Sequence, residues 1–223
     1  MAAVRAQPAE GPVLREAHRV VVWTPKRTRP ERVPLLVVHD GHDYARRASL
    51  RRLLEPYQPL RVALLSAADR NEAYSASARY ARLLAEELLP ELGPASRRVG
   101  LGCSLGGLAL LHAHRRHPGA FDAILAQSGS FFRRRTDRQE ARFPRFARIT
   151  RFVGTVLNGH DWHSPIPVTM TCGVDEENLA NNGAMSEALA RQGYPVRFHE
   201  VPGGHEWRSW REALGAHLDE VLA

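Results

Sequence analysis

The chain has 223 residues and a mass of 24.9 kDa, a length suited to one generous domain rather than two. Its 43% hydrophobic and 25% charged content excludes a disordered chain, and no run approaches the roughly 18 apolar residues of a membrane span. The formal charge of +7 invites a nucleic-acid reading, but residues 133–151 alone hold eight arginines against Asp137 and Glu140, a local +6 on a nearly neutral body. One basic segment of this kind suits an anionic small ligand or a local interface, and neither nucleic acid nor a membrane is expected as a partner.

The first residues, MAAVRAQPAEGPVLREAHR, have neither the apolar core nor the cleavage site of a signal peptide. The two cysteines, Cys103 and Cys172, are too few for a disulfide framework or a zinc site. Both observations lead us to expect a cytoplasmic protein. Arg19–Trp23 and Pro34–His39 then open a series of short, continuously apolar runs that read as strands covered on both faces. After the second comes His39-Asp40-Gly41-His42-Asp43-Tyr44, leading into a helical pattern over Ala45–Glu55. Gly41 permits a turn that aims the His42 amide inward, and Asp40 can hold the loop by local hydrogen bonds. The competing reading is an ordinary turn. A strand over Arg61–Ser66 and a helix over Ser75–Leu89 follow.

The strand Val99–Cys103 runs directly into Gly102-Cys103-Ser104-Leu105-Gly106-Gly107 and the helix Leu105–His117. Strand, G-x-S-x-G and helix in immediate succession form a nucleophile elbow. The glycines let the two backbones pass close to a serine held in a strained turn, and the Leu105 amide at the helix start faces a developing oxyanion. The overlapping Gly100-x-Gly102-x-x-x-Gly106 is one residue too long for a dinucleotide fingerprint, so no cofactor is expected. The strand Ala123–Gln127 leads to the arginine-rich stretch, read from its charge as a solvated face or as an anion-binding lid over 131–163. Arg133, Arg134 and Arg135 are its substrate-binding candidates. His160 and His163 lack a third ligand at suitable spacing, and no metal is expected.

After the strand Pro167–Cys172, the loop Gly173-Val174-Asp175-Glu176-Glu177-Asn178 offers three adjacent carboxylates, where a Ser–acid–His order in the chain puts the acid. Glu176 is favoured, with Asp175 and Glu177 as alternatives. A helix over Asn178–Gln192 and a strand over Val196–Val201 precede Pro202-Gly203-Gly204-His205-Glu206-Trp207, and Glu206–Leu222 is the last helix. The two glycines allow a tight turn that brings the His205 imidazole over the sheet edge as a general base. The alternation of strand and helix predicts an α/β fold, a mostly parallel central sheet with helices on both faces and its functional groups at the carboxyl ends of the strands.

Five blocks in order carry a resemblance: Asp40-Gly41, Asp69-Arg70-Asn71-Glu72 before a helix ending Glu87-Leu88-Leu89-Pro90, the Gly102–Gly107 elbow, Gln127-Ser128-Gly129-Ser130-Phe131, and Gly203-Gly204-His205-Glu206-Trp207 with Trp210-Arg211. They resemble the esterase D superfamily of α/β-hydrolases, and within it the enterochelin-esterase-like proteins. The resemblance implies a single α/β-hydrolase domain over 1–223 with Ser104 as nucleophile, His205 as base and oxyanion amides on His42 and Leu105. It leaves the acid open within Gly173–Asn178. With the basic segment, it implies a small-molecule ester substrate, anionic and of the ferric catecholate siderophore type. Two departures stand beside it: cytoplasmic enterochelin esterases typically carry an N-terminal domain ahead of the catalytic one, and the stretch after Phe131 is here arginine-rich. The superfamily also holds feruloyl and acetylxylan esterases, mycolyltransferases and S-formylglutathione hydrolase. A general carboxylesterase for aryl or acetyl esters is therefore the second reading, and an inactive hydrolase fold kept as a binding module the third.

Overall fold

Strands of consecutive apolar, β-branched residues leave no face for water and need cover on both sides. The computed structural model describes residues 6–8 and 18–222, so most of the stretch read as lacking a signal peptide lies outside the described residues. Among the described residues, eight strands form one sheet: β1 (Ala6–Pro8), β2 (His18–Trp23), β3 (Leu35–His39), β4 (Arg61–Ala67), β5 (Arg98–Cys103), β6 (Ala123–Gln127), β7 (Val168–Gly173) and β8 (Val196–Val201). Their order is β1-β2-β4-β3-β5-β6-β7-β8, with the β1–β2 and β2–β4 pairs antiparallel and the remaining pairs parallel.

Alternate strand residues serve two cores. Leu35, Val37, Ala63, Leu65 and Ile124 face one; Leu36, Val38, Val62, Leu64 and Leu125 face the other. The helices are α1 (Gly41–Arg47), α2 (Leu50–Leu53), α3 (Arg70–Tyr74), α4 (Ala78–Leu83), α5 (Leu89–Glu91), α6 (Leu105–Arg116), α7 (Phe146–Leu157), α8 (Leu179–Arg191), α9 (Trp207–His217) and α10 (Asp219–Leu222). Helices α3 to α8 cover the first core through Tyr74, Tyr80, Leu108, Ile149, Met185 and their neighbours. The other core is closed by α1, α2, α9 and α10 through Tyr44, Leu50, Trp210, Leu214 and Val221.

The structure departs from the sequence reading in several places, among them the unexpected short elements β1 and α3 and the break of the helix expected over Glu206–Leu222 into α9 and α10. The first helix begins at Gly41, not Ala45, and breaks at Ser49, whose φ of 51° separates α1 from α2. The helix expected over Ser75–Leu89 widens into a π turn at Leu84–Leu88. Pro90, which has no N–H for a carbonyl one turn back, follows that turn directly. Helix α7 was not expected at all. Its buried Ile149, Val153 and Val156 recur at helical spacing, but the arginines between them draw the eye to charge.

Two histidines of α6 are buried. His112 packs edge-on against Phe152 at 4.9 Å, and His114 Nε2 lies 3.2 Å from the Tyr194 hydroxyl. Burial first, then neighbouring arginines, push both imidazoles down to about 4. An unfolded chain protonates them from about pH 6.5 downward, so the stability each contributes is complete above that pH and is lost as pH falls toward 4. We expect denaturation midpoints to fall steeply between pH 7 and 4.5, by on the order of 3 kcal/mol per histidine at the acid end. His112→Leu should flatten that profile; a parallel profile in the variant would refute the assignment.

Candidate active site

Strand β5 delivers Ser104 with φ 54° and ψ −123°, a strained conformation for a residue with a side chain. The turn requires Gly102 before it: a Cβ there would lie 2.6 Å from the Gly106 carbonyl carbon. The Ser104 amide donates to the Gln127 carbonyl at 2.8 Å, extending the β5–β6 ladder past the strand ends and fixing the turn. Ser104 Oγ then stands 3.1 Å from His205 Nε2 and 3.1 Å from Ser130 Oγ.

His205 follows β8 and turns its Nδ1 to Glu176 Oε2 at 2.7 Å. Of the three carboxylates after β7, Glu176 is the buried one, whereas Asp175 and Glu177 are exposed. Its other oxygen accepts from Ser128 Oγ at 2.5 Å and the Gly173 amide at 2.9 Å. Burial pushes the Glu176 pKa up, but the hydrogen bonds from His205, Ser128 and Gly173 outweigh it and hold the carboxyl below its ordinary value. An ionised Glu176 accepts a hydrogen bond from Nδ1–H, which keeps the single proton of the neutral ring on Nδ1 and leaves Nε2 free to accept from the serine hydroxyl.

A chain of further bonds supports this line. Trp210 Nε1 donates to Ser128 Oγ at 2.9 Å, Gln127 Nε2 donates to the Trp210 carbonyl at 2.8 Å, and the Tyr44 hydroxyl donates to Gln127 Oε1 at 2.8 Å. The Trp210 ring also meets His205 edge to face at 4.9 Å. None of these supports carried a role in the sequence reading. A polar Gln127 closing the otherwise apolar Ala-Ile-Leu-Ala strand was one available signal, and the place of Gln127, Ser128 and Trp210 in the resembling blocks was another.

The two amides read as oxyanion donors both stand in first helical turns, Leu105 in α6 and His42 in α1, where the helix supplies no acceptor. The loop bearing His42 is built differently from expectation. Asp40, not Gly41, takes the left-handed conformation, with φ 52°. Gly41 is needed instead for close approach, since a Cβ would sit 2.5 Å from Leu64 Cα. The Asp40 carboxylate makes no local bond but a bidentate pair with Arg70, at 2.8 Å to each oxygen. His39 bolts this loop to the elbow: Nδ1 lies 3.0 Å from the Gly106 carbonyl and Nε2 2.8 Å from the Tyr80 hydroxyl.

Arg133, Arg134 and Arg135 are exposed, and no hydrogen bond or ion pair joins them to Ser104, His205 or Glu176. The buried Asp137 fixes their turn, accepting from the Arg133 amide and from Asn181 of α8. Arg134 alone of the three lines an open cavity of about 700 Å³, together with Arg138, Arg151, Phe146 and Thr150. Arg145 and Arg148 instead bind Glu72 of α3, and Arg148 Nε also reaches the Ser75 carbonyl at 2.6 Å. His160 and His163 join no cluster of three metal-capable side chains among the described residues.

The family described as "Putative esterase" matches residues 12–221. The iron(III) enterobactin esterase of Dickeya dadantii (strain 3937) is 30% identical over 213 residues, 83% of this chain and 47% of that protein. The iron(III) enterobactin esterase of Escherichia coli (strain K12) is 25% identical over 226 residues, 90% of this chain and 52% of that one. The chain thus spans about half the length of the curated relatives it matches. Among solved structures, enterobactin esterase from Shigella flexneri in the presence of enterobactin superposes with a TM-score of 0.74 at 24% identity, over 98% of this chain and 59% of that one. S-formylglutathione hydrolase from Staphylococcus aureus gives 0.71 at 17% identity, over 99% of both chains. These likenesses show the α/β-hydrolase fold expected from the strand–helix alternation.

The Asp40–Arg70 pair has a measurable consequence. Arg70→Met strands a nearly buried carboxylate and should cost about 2 kcal/mol in urea unfolding. Adding Asp40→Asn should recover part of that loss. A single-variant cost below about 0.5 kcal/mol would mean that water satisfies Asp40 without Arg70.

Proposed function

The chain belongs to the Esterase family, and on that premise we propose that it hydrolyses carboxylic esters through an acyl-enzyme on Ser104. The observation carrying this reading is the His205 ring, placed between Ser104 Oγ at 3.1 Å and Glu176 at 2.7 Å. Ser104 attacks the ester carbonyl while His205 Nε2 takes its proton, and Glu176 holds the ring and stabilises the imidazolium. The His42 and Leu105 amides bind the oxyanion. Collapse expels the alcohol with the proton from His205, and water repeats the sequence to release the acid.

As substrate we propose an anionic ester of the ferric catecholate siderophore type. The curated relatives are named as iron(III) enterobactin esterases, and the cavity lined by Arg134, Arg138 and Arg151 beside Phe146 suits an anionic aromatic group. The lining of that cavity falls within residues 131–163, the segment proposed to receive the substrate. We further place the enzyme in the cytoplasm, a reading supported by two buried free thiols, Cys103 and Cys172.

Ser104→Ala should lower ester turnover by roughly four to six orders of magnitude, and Glu176→Gln by a smaller factor of roughly 10² to 10⁴. Substantial residual turnover in Ser104→Ala would assign the nucleophile elsewhere. Chromatography of products from a ferric tricatechol trilactone, with a p-nitrophenyl ester as control, decides the substrate class. Turnover of the control alone would leave a general carboxylesterase. Reversing charge at Arg134, Arg138 and Arg151 should raise KM roughly tenfold or more for an anionic ester and spare a neutral one. Equal effects on both would refute the anionic pocket.

A further inference from the structure

A second convergence of chemically able side chains lies outside the triad and is unrelated to hydrolysis. His199 of β8, His217 at the end of α9 and Glu220 of α10 turn their donor atoms toward one another, all within 4.8 Å. The two imidazoles stack with centroids 3.9 Å apart at 16°. His199 Nε2 and His217 Nδ1 both point at Glu220 Oε1, each at 2.9 Å. His199 Nε2 also lies 3.1 Å from Glu220 Oε2, with which it has hydrogen-bond geometry, so one carboxylate serves two rings that come from different elements.

We propose that this cluster is a binding site for a divalent metal ion of the zinc class, held by His199 Nε2, His217 Nδ1 and the Glu220 carboxylate. Two imidazole nitrogens and one carboxylate are a donor set for zinc, cobalt or nickel, whereas calcium and magnesium prefer oxygen ligands alone. A tetrahedral ion 2.0–2.1 Å from each ligand separates donors by about 3.4 Å, so Glu220 must retreat by about half an ångström and the two stacked rings must turn until the ion lies near both ring planes. Its position on the short α10 makes that movement small relative to its freedom. Each ring keeps a single proton, moved to the outer nitrogen: Nδ1 of His199 and Nε2 of His217.

The surroundings fit. Thr169 Oγ1 donates to Glu220 Oε2 at 3.1 Å, an orienting bond of the kind that fixes metal-binding carboxylates. Part-burial of all three ligands leaves a fourth position open to water. Arg197 comes within 3.8 Å of Oε2 but is mostly exposed, and its long side chain can turn away. The ion would tie edge strand β8 to the two C-terminal helices.

Titrating the chelator-treated full chain with Zn²⁺ in a calorimeter tests this. One ion per chain is expected, with Tm raised by roughly 5–10 °C at a hundredfold excess over Kd. His199→Ala and Glu220→Gln should each abolish both signals, while His160→Ala with His163→Ala keeps them. No heat up to millimolar Zn²⁺, or equal binding in the His199→Ala, His217→Ala double variant, would overturn the site. Should the cluster variants fail to fold, the Co²⁺ absorption spectrum of the unaltered chain decides. Tetrahedral visible bands are expected, and a spectrum like that of the aqueous ion overturns the proposal.

Discussion

An ionised carboxylate withdrawn from water costs several kcal/mol unless donors replace its hydration, and the side chain of Glu176 is only 1% exposed. Three donors replace the lost water, and each comes from a different part of the fold: the His205 ring after β8, the Ser128 hydroxyl after β6, and the Gly173 amide closing β7. The carboxylate therefore acts as the common point to which three strand ends are referred. Were any donor displaced, its charge would be less favoured and the tautomer of His205 less defined. Ser128 is itself held by Trp210, whose carbonyl is held by Gln127, so the orientation of one imidazole depends on bonds that reach the opposite face of the sheet.

Parallel strands make this convergence possible, because successive carboxyl ends open at one edge. Ser104 and Ser128 both adopt positive φ where their strands finish, at 54° and 50°. Conformations of this kind cost about 1–3 kcal/mol each and persist only where the surroundings over-determine them. Here the sheet ladder supplies the constraint by continuing past the strands, Ser104 N to Gln127 O at 2.8 Å and Ser128 N to Thr171 O at 2.7 Å. On the opposite side of Ser104, His39 ties the β3–α1 loop to the first turn of α6. The Leu105 and His42 amides thus belong to two loops that cannot drift independently.

How much of this was legible in sequence follows from the range of each interaction. The elbow is a local device, with glycine, serine and glycine set by strand–helix contact within six residues, and it could be read directly. The strands were legible for a related reason, since burial on both faces removes polar residues from the run itself. Asp175, Glu176 and Glu177 differ only in which way the chain turns, which is a property of Gly173 packing against Gly203 rather than of the carboxylates. Arg70, Ser128 and Trp210 stand in the blocks that carry the resemblance, but their supporting roles, like that of His39, were not legible because their partners lie 30 to 82 residues away. Helix α7 was lost for the opposite reason: its local pattern was present but outnumbered by arginines.

That same segment shows why counting charge misleads. Five of its eight arginines fall into two groups with different surroundings. Arg145 and Arg148 are spent within the fold, binding Glu72 and the Ser75 carbonyl so that α7 is fastened to α3 while Ile149, Val153 and Val156 enter the core. Arg134, Arg138 and Arg151 remain on the wall of the open cavity, where their charge is available to a ligand. A wall anchored in this way differs from a loose flap, for the internal pairs fix α7, which carries Arg151, and Asp137 fixes the turn that carries Arg134. Fixed cations discriminate among anions by geometry, whereas mobile ones respond only to net charge. The bonding at the strand ends can serve any ester, so under the proposed function the choice among substrates falls to the segment between β6 and β7.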